Sequence, residues 1–95
     1  MNENKSYTRQ DVALVLSRAL ASLKFNWEPG SNPEHVHLFD DLGLDSLDGF
    51  DLVMILEEEF DTDGSEKDFS RTFTIRSVIE MVCRLLEDGG RFLHE

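Results

Sequence analysis

The sequence predicts an all-α fold, a small bundle of three main helices and one short helix, with a long loop between the first two helices. Apolar residues recur every three or four positions in three separate segments, which is the spacing of one helix face. No segment alternates apolar and polar residues over the length of a strand. The 95 residues make a single domain with a modest core, too small to add a deep, enclosed catalytic cleft.

The first helix is predicted to begin after Thr8. This residue can cap the helix, Asp11 stands at the reciprocal capping-box position, and Tyr7 can pack against Val12. About four helical turns follow along an apolar stripe of Val12, Val15, Leu16, Ala19, Leu20 and Leu23. Residues 25–44 contain both prolines and are predicted to be a long loop. Its apolar anchors are Trp27, Val36, Leu38, Phe39 and Leu42.

The second helix is predicted to start with Asp45 as its cap and Ser46 as its first helical residue, and to end near Phe60. A short helical turn is expected around residues 66–69. Thr74 is the predicted cap of the last helix. The apolar face of that helix is formed by Ile75, Val78, Ile79, Val82, Leu85 and Leu86.

The glycine pair Gly89 and Gly90 ends the last helix. We therefore expect one domain over residues 1–95, with an ordered core over about residues 7–88 and frayed termini. The expected C-terminal frayed tail covers residues 91–95.

The second helix has two apolar faces when its residues are placed at about 100° intervals. The larger face, which is expected to point to the core, is formed by Leu52, Ile55, Leu56 and Phe60. The opposite face, here called the recognition stripe, consists of Leu47, Phe50 and Met54. It is flanked by the acidic residues Asp51, Glu57, Glu58 and Asp61. Such a stripe favours binding by other proteins. The alternative is ordinary exposure of single apolar side chains.

The negative charge of the protein is concentrated around Ser46. Residues 25–66 contain 13 Asp and Glu and no Lys or Arg, so their formal charge is -13, while the remaining residues sum to +2 and the whole chain to -11. This charge repels nucleic acid and anionic membranes and attracts basic protein patches. No apolar run approaches the roughly 20 residues of a membrane span, and Cys83 has no second cysteine to pair with. A cytoplasmic monomer is the simplest interpretation.

Ser46 lacks the surroundings of a catalytic serine. A nucleophilic serine needs a general base held by a third group, and His35 and His37 lie upstream in the loop with no spacing that brings them to Ser46. The Gly-x-Ser-x-Gly elbow is absent, because Gly43 and Gly49 are each three residues from the serine. The start of a helix does favour an attached phosphate. Ser46 is therefore interpreted as a helix-start residue that another enzyme modifies.

Two segments carry a specific resemblance to a known family. Residues 39–47 read FDDLGLDSL and residues 52–61 read LVMILEEEFD. Together they resemble the acyl carrier protein family, and the predicted helices fall where that family has them. The resemblance implies that Ser46 accepts 4′-phosphopantetheine from coenzyme A through a separate phosphopantetheinyl transferase that uses Mg²⁺. It also implies a non-catalytic chain that carries acyl groups as thioesters.

The resemblance implies two further groups of site residues. Acyl-transferring and condensing enzymes with basic patches would contact Asp45, Leu47, Asp48, Phe50, Asp51, Met54, Glu57 and Glu58. An acyl chain could fold back between the helices, among Phe39, Leu42, Leu44, Leu52, Leu56, Phe60, Val78, Ile79 and Val82. The alternative role of this second group is plain core packing.

The pathway stays open at the level of sequence. Strong acidity and the LEEEF run at residues 56–60 favour a fatty-acid carrier. The alternatives are a carrier for polyketide or non-ribosomal peptide synthesis, or one dedicated to a special acyl product. More distant alternatives are a carrier-like interaction module without a prosthetic group and a small serine hydrolase.

Several positions depart from the family pattern. Gly64 and Ser65 stand where the family has an apolar residue and often proline, and Thr72 where isoleucine is frequent, which leaves the short helix and the pocket depth open. A glycine inside a helix, such as Gly49, lowers helix stability by about 1 kcal/mol relative to alanine. Gly49 either allows close approach of a partner or of the phosphopantetheine arm, or is a tolerated weakness of the helix. Residues 59–64 resemble the start of a calcium loop, but its closing glutamate is missing, so no metal site is expected.

Overall fold

The computed structural model describes residues 6–62 and 73–94, and three helices make up the regular structure of this part of the chain. They are α1 (Arg9–Ser22), α2 (Ser46–Phe60) and α3 (Ile75–Asp88). Helix α1 packs against both α2 and α3. The described residues contain two isolated β-bridges and no strand. The predicted all-α bundle is confirmed, whereas the short helix predicted around residues 66–69 lies outside the described residues.

Each helix begins at the polar residue that the sequence predicts as its cap. Asp11 N donates to Thr8 Oγ1 at 3.1 Å, and Thr8 N donates to the Asp11 carboxylate at 2.9 Å. Asp45 and Asp48 form the same reciprocal pair at the start of α2, at 2.9 and 3.1 Å. The Thr74 side chain caps α3. These bonds satisfy backbone N–H groups that a helix leaves without partners in its first turn.

The buried face of α2 is turned slightly from the predicted one. Val53, only 1% exposed, belongs to the core, whereas Ile55 is half-buried at its edge. Gly49 is also buried on this face. It therefore lies on the core side of α2, away from the side that a docking partner would contact. The core combines this face with α1, α3 and the loop anchors Trp27, Leu38 and Phe39.

The loop between α1 and α2 is bonded to α1 and to α3 through Glu34. Its carboxylate accepts two hydrogen bonds from Arg9, at 2.7 and 2.9 Å, and lies 3.5 Å from Arg76 Nε. Its backbone carbonyl accepts a hydrogen bond from Arg76 N at 2.9 Å, and Ile75 N donates to Val36 O at 2.9 Å. The loop thus completes the first turn of α3 while holding α1 beside it.

We predict that Glu34→Gln destabilises the fold in a pH-dependent way. The hydrogen bonds from Arg9 hold the pKa of Glu34 below its ordinary value. A lowered carboxyl pKa stabilises the folded state above the unfolded pKa, and this contribution is lost as the pH falls through the folded value. The expected loss at pH 7 is about 0.5–1 kcal/mol, as for a partly exposed ion pair. Urea unfolding at pH 7 and at about pH 3 checks this prediction.

The matched control is Glu28→Gln, because Glu28 is an exposed acid of the same loop whose carboxylate has no ion pair with a described residue. It should unfold like the wild type at both pH values. If Glu34→Gln loses as much stability at the acidic pH as at pH 7, the stabilising effect does not come from the ionised carboxylate of Glu34, and the prediction is wrong.

The C-terminal segment differs from the frayed tail that the sequence predicts. Tyr7 N donates to Arg91 O at 2.8 Å, and Leu93 N donates to Tyr7 O at 2.7 Å. The Arg91 guanidinium donates to the carbonyl oxygens of Phe60 and Asp61, at 2.5 and 3.2 Å. A cation is favourable at a helix C-terminus, and the last turn of α2 has no basic residue of its own. The tail therefore joins the start of α1 to the end of α2.

Within residues 6–62 and 73–94, no helix has the length and apolar character needed to cross a membrane. The departures from the family pattern at Gly64, Ser65 and Thr72 fall outside these ranges.

Candidate functional site

Ser46 is exposed at the first position of α2, and its backbone is held on both sides. Upstream, Leu44 is buried and its N–H donates to Leu38 O at 3.1 Å. Downstream, the capping pair formed by Asp45 and Asp48 fixes the first helical turn. The buried Leu44 and the capping box of Asp45 and Asp48 thus fix the backbone on both sides of Ser46, which lies at the protein surface.

The surroundings of Ser46 fit a covalently attached phosphopantetheine. The positive end of the 15-residue helix favours a phosphate at this position. The carboxylates of Asp45 and Asp48, which would oppose it, are bonded to backbone N–H groups of the cap. Ser46 itself is exposed, so its side chain is accessible to a modifying enzyme.

A serine–histidine pair through His37 Nδ1 is not formed. This nitrogen is buried and has no hydrogen-bond partner among the described residues. His35 is exposed in the loop. The serine hydrolase alternative therefore receives no support from His37 Nδ1, the buried nitrogen of the histidine nearest to Ser46 in the sequence.

The recognition stripe is exposed, as the periodicity predicts. Leu47, Phe50 and Met54 are 73%, 51% and 57% exposed. Asp51 and Glu58 are exposed beside them. Large apolar side chains this open to water, beside acidic groups, form a surface suited to protein binding. That partners bind here stays a prediction.

The other acidic residues assigned to partner contact differ in their surroundings. Asp45 is exposed and Asp48 half-buried, and both carboxylates accept backbone hydrogen bonds of the helix cap. Glu57 is half-buried. The charges most open to a partner are therefore those of Asp51 and Glu58, because their carboxylates are neither buried nor part of the cap.

The residues assigned to an acyl pocket form packed core. Leu42 is half-buried, and the buried ones are Phe39, Leu44, Leu52, Leu56, Phe60, Val78, Ile79 and Val82. Four surface clefts, with volumes of about 270–390 Å³, have other linings. An acyl chain would have to displace these side chains to enter, so the pocket stays a prediction.

Two further sequence features carry no site in the described residues. Burial raises the pKa of the Cys83 thiol, which opposes thiolate chemistry. Within the described ranges no group of three or more His, Cys, Asp or Glu is placed to hold a metal ion. Of the calcium-like pattern, Asp63 and Gly64 lie outside those ranges.

Comparison with known families supports the resemblance of residues 39–61 to the acyl carrier proteins. The family model described as phosphopantetheine attachment site matches residues 18–86, which include the loop, Ser46 and all of α2. No solved structure matches the chain. The chain therefore belongs to the phosphopantetheine attachment site family, in which 4′-phosphopantetheine is attached covalently to the carrier.

Proposed function

We propose that Ser46 is the attachment residue and that the chain is an acyl carrier protein serving fatty-acid or closely related synthesis. The observation that carries the proposal is an exposed serine at the start of a capped helix, inside residues matched by the family. When bound, the arm supplies a thiol that holds acyl groups as thioesters. The chain itself contributes attachment, presentation and partner recognition, and its partners contribute the chemistry.

Different residues of the described part of the chain serve attachment, presentation and partner recognition. Leu44 and the cap of Asp45 and Asp48 hold the attachment point, so that a transferase meets Ser46 in one backbone conformation. The recognition stripe gives partners apolar contact area, and Asp51 and Glu58 attract basic patches. Tethering then raises the effective concentration of the acyl group at a docked enzyme.

Acidity favours a fatty-acid carrier over the alternatives. The formal charge of -13 between residues 25 and 66 suits partners with strongly basic docking surfaces. A carrier for polyketide or non-ribosomal peptide synthesis, or for a special acyl product, is the second candidate, because the same attachment chemistry serves those pathways.

The experiment that tests the proposal has two steps. The wild-type chain is incubated with coenzyme A, Mg²⁺ and a broad-range phosphopantetheinyl transferase, and the intact mass should rise by one phosphopantetheine. An unchanged mass would refute the carrier function. The loaded chain is then offered to an enzyme that ligates saturated fatty acids and to amino-acid-adenylating domains. Acylation by the first supports a fatty-acid carrier, and loading only by the second supports peptide synthesis.

We predict that Leu47→Ala weakens recognition by the transferase. Leu47 is the most exposed member of the recognition stripe and adjoins Ser46. Partial burial of the leucine side chain by a partner contributes about 1–2 kcal/mol more than alanine would, so KM should rise roughly 5- to 30-fold while kcat changes little. Steady-state kinetics of the transferase, with the carrier chain as the varied substrate, checks this prediction.

Leu14→Ala is the matched control, since Leu14 is also an exposed leucine but lies on α1. Its KM should equal that of the wild type. Equal increases for the two variants would show a general effect of surface hydrophobicity and contradict a specific role for the stripe.

A further inference from the structure

The turn before Ser46 is closed by hydrogen bonds in both directions between Asp41 and His37. The Asp41 carboxylate accepts a hydrogen bond from His37 N at 2.8 Å. In return, the N–H groups of Asp41 and Leu42 both donate to His37 O, each at 3.0 Å. An ionised carboxylate is a strong hydrogen-bond acceptor. The bond from His37 N to the Asp41 side chain therefore stabilises a turn that is otherwise held by backbone hydrogen bonds alone.

Both ends of this turn are anchored in the core. Leu38 is fully buried, and its N–H donates to Phe73 O at 3.1 Å, just before α3. Leu44 is buried as well, and its N–H donates to Leu38 O at 3.1 Å. Gly43 allows the chain to reverse there, with a φ of +90°. The exit of the turn therefore lies two residues before Ser46.

Asp40 and Asp41 are adjacent and equally charged, yet they differ in their contacts. Both are exposed. Asp41 closes the turn, whereas the Asp40 carboxylate has no hydrogen bond or ion pair with any described residue. A comparison of Asp40 and Asp41 therefore distinguishes the effect of a carboxylate's hydrogen bond from the effect of its negative charge.

We infer that Asp41 is a positioning residue for the modification of Ser46, an inference that rests on the proposed function. It acts through the turn, which it holds in the conformation that delivers Asp45 and Ser46 to the transferase. A transfer step depends steeply on placement, since errors of about 1 Å lower rates strongly.

The experiment compares Asp41→Ala, Asp41→Asn and Asp40→Ala as substrates of the transferase. Asp41→Ala should lower kcat roughly fivefold, the factor that corresponds to a hydrogen bond of about 1 kcal/mol. Its KM should change less than about twofold, because the recognition stripe is intact. Asp41→Asn keeps an acceptor oxygen and should restore kcat. Asp40→Ala should keep the wild-type kcat.

A second readout is independent of the transferase. Amide hydrogen exchange at His37 and Leu44 should be faster in Asp41→Ala and close to wild type in Asp41→Asn and Asp40→Ala. Because Asp41 is exposed, its replacement leaves no cavity, and circular dichroism should show an unchanged helix content.

The outcomes separate the two claims. An unmodified wild-type chain overturns the proposed function and the positioning role with it. If the wild type is modified, an Asp41→Ala variant with normal kcat and normal exchange overturns the positioning role alone. Equal decreases of kcat in Asp41→Ala and Asp41→Asn also overturn the positioning role, because the effect then comes from the negative charge of Asp41 and not from its hydrogen bond.

Discussion

Replacing Ser46 with alanine is expected to abolish phosphopantetheine attachment completely. In the proposed function the bond to phosphorus forms through the Oγ of Ser46, which alanine lacks. Ser46 is exposed at the first position of α2, and the cap of that helix is made by Asp45 and Asp48. Alanine has the highest helix propensity, so the variant should stay folded. Intact-mass measurement after incubation with coenzyme A, Mg²⁺ and the transferase should show no increase.

The control for this experiment is Ser31→Ala, which removes an exposed hydroxyl from the loop between α1 and α2. Its mass should rise as in the wild type, by one phosphopantetheine. Equal loading of Ser46→Ala and the wild type would place the attachment at another residue. Thermal melting of the variants confirms that a loss of loading does not reflect unfolding.

Trp27→Ala is expected to give a large loss of stability, about 3–5 kcal/mol. Trp27 is 2% exposed, so the substitution leaves a cavity in the core where the loop packs. Its Nε1 donates to Pro33 O at 2.8 Å, and its carbonyl oxygen accepts from Ser17 Oγ at 2.7 Å. A domain is stable by only about 5–15 kcal/mol. Urea unfolding, followed by circular dichroism, should therefore show that the variant has lost a large part of its free energy of unfolding.

Trp27→Phe separates packing from hydrogen bonding at the same position. It keeps an aromatic ring but leaves Pro33 O without its donor, so we expect a smaller loss of about 1–2 kcal/mol. A loss below about 1 kcal/mol in Trp27→Ala would contradict the role of Trp27 as the anchor of the loop.

The helix starts and the recognition stripe could be predicted from sequence because they depend on local geometry. A cap joins residues three positions apart, as in the pair of Asp45 and Asp48. A helix face repeats at fixed angles, so Leu47, Phe50 and Met54 had to share one side of α2. Neither prediction required knowledge of which elements pack together.

The ties between distant segments could not be predicted in this way. Arg9 and Glu34 are 25 positions apart, and Arg91 and Phe60 are 31 apart. No periodicity links residues at such separations. The packing of the bundle also decides where the buried face of α2 ends, and for this reason Val53 rather than Ile55 belongs to the core.

The sequence by itself determined three helices, their caps, and a serine at the start of an acidic second helix, because short-range hydrogen bonds and helical periodicity fix these features. Only the tertiary structure decided how that serine is supported. The anchoring of Leu38 to Phe73, the docking of the loop on α3 through Glu34, and the capping of α2 by Arg91 all depend on distant chain segments meeting in space. Such contacts form only once burial of the core brings those segments together.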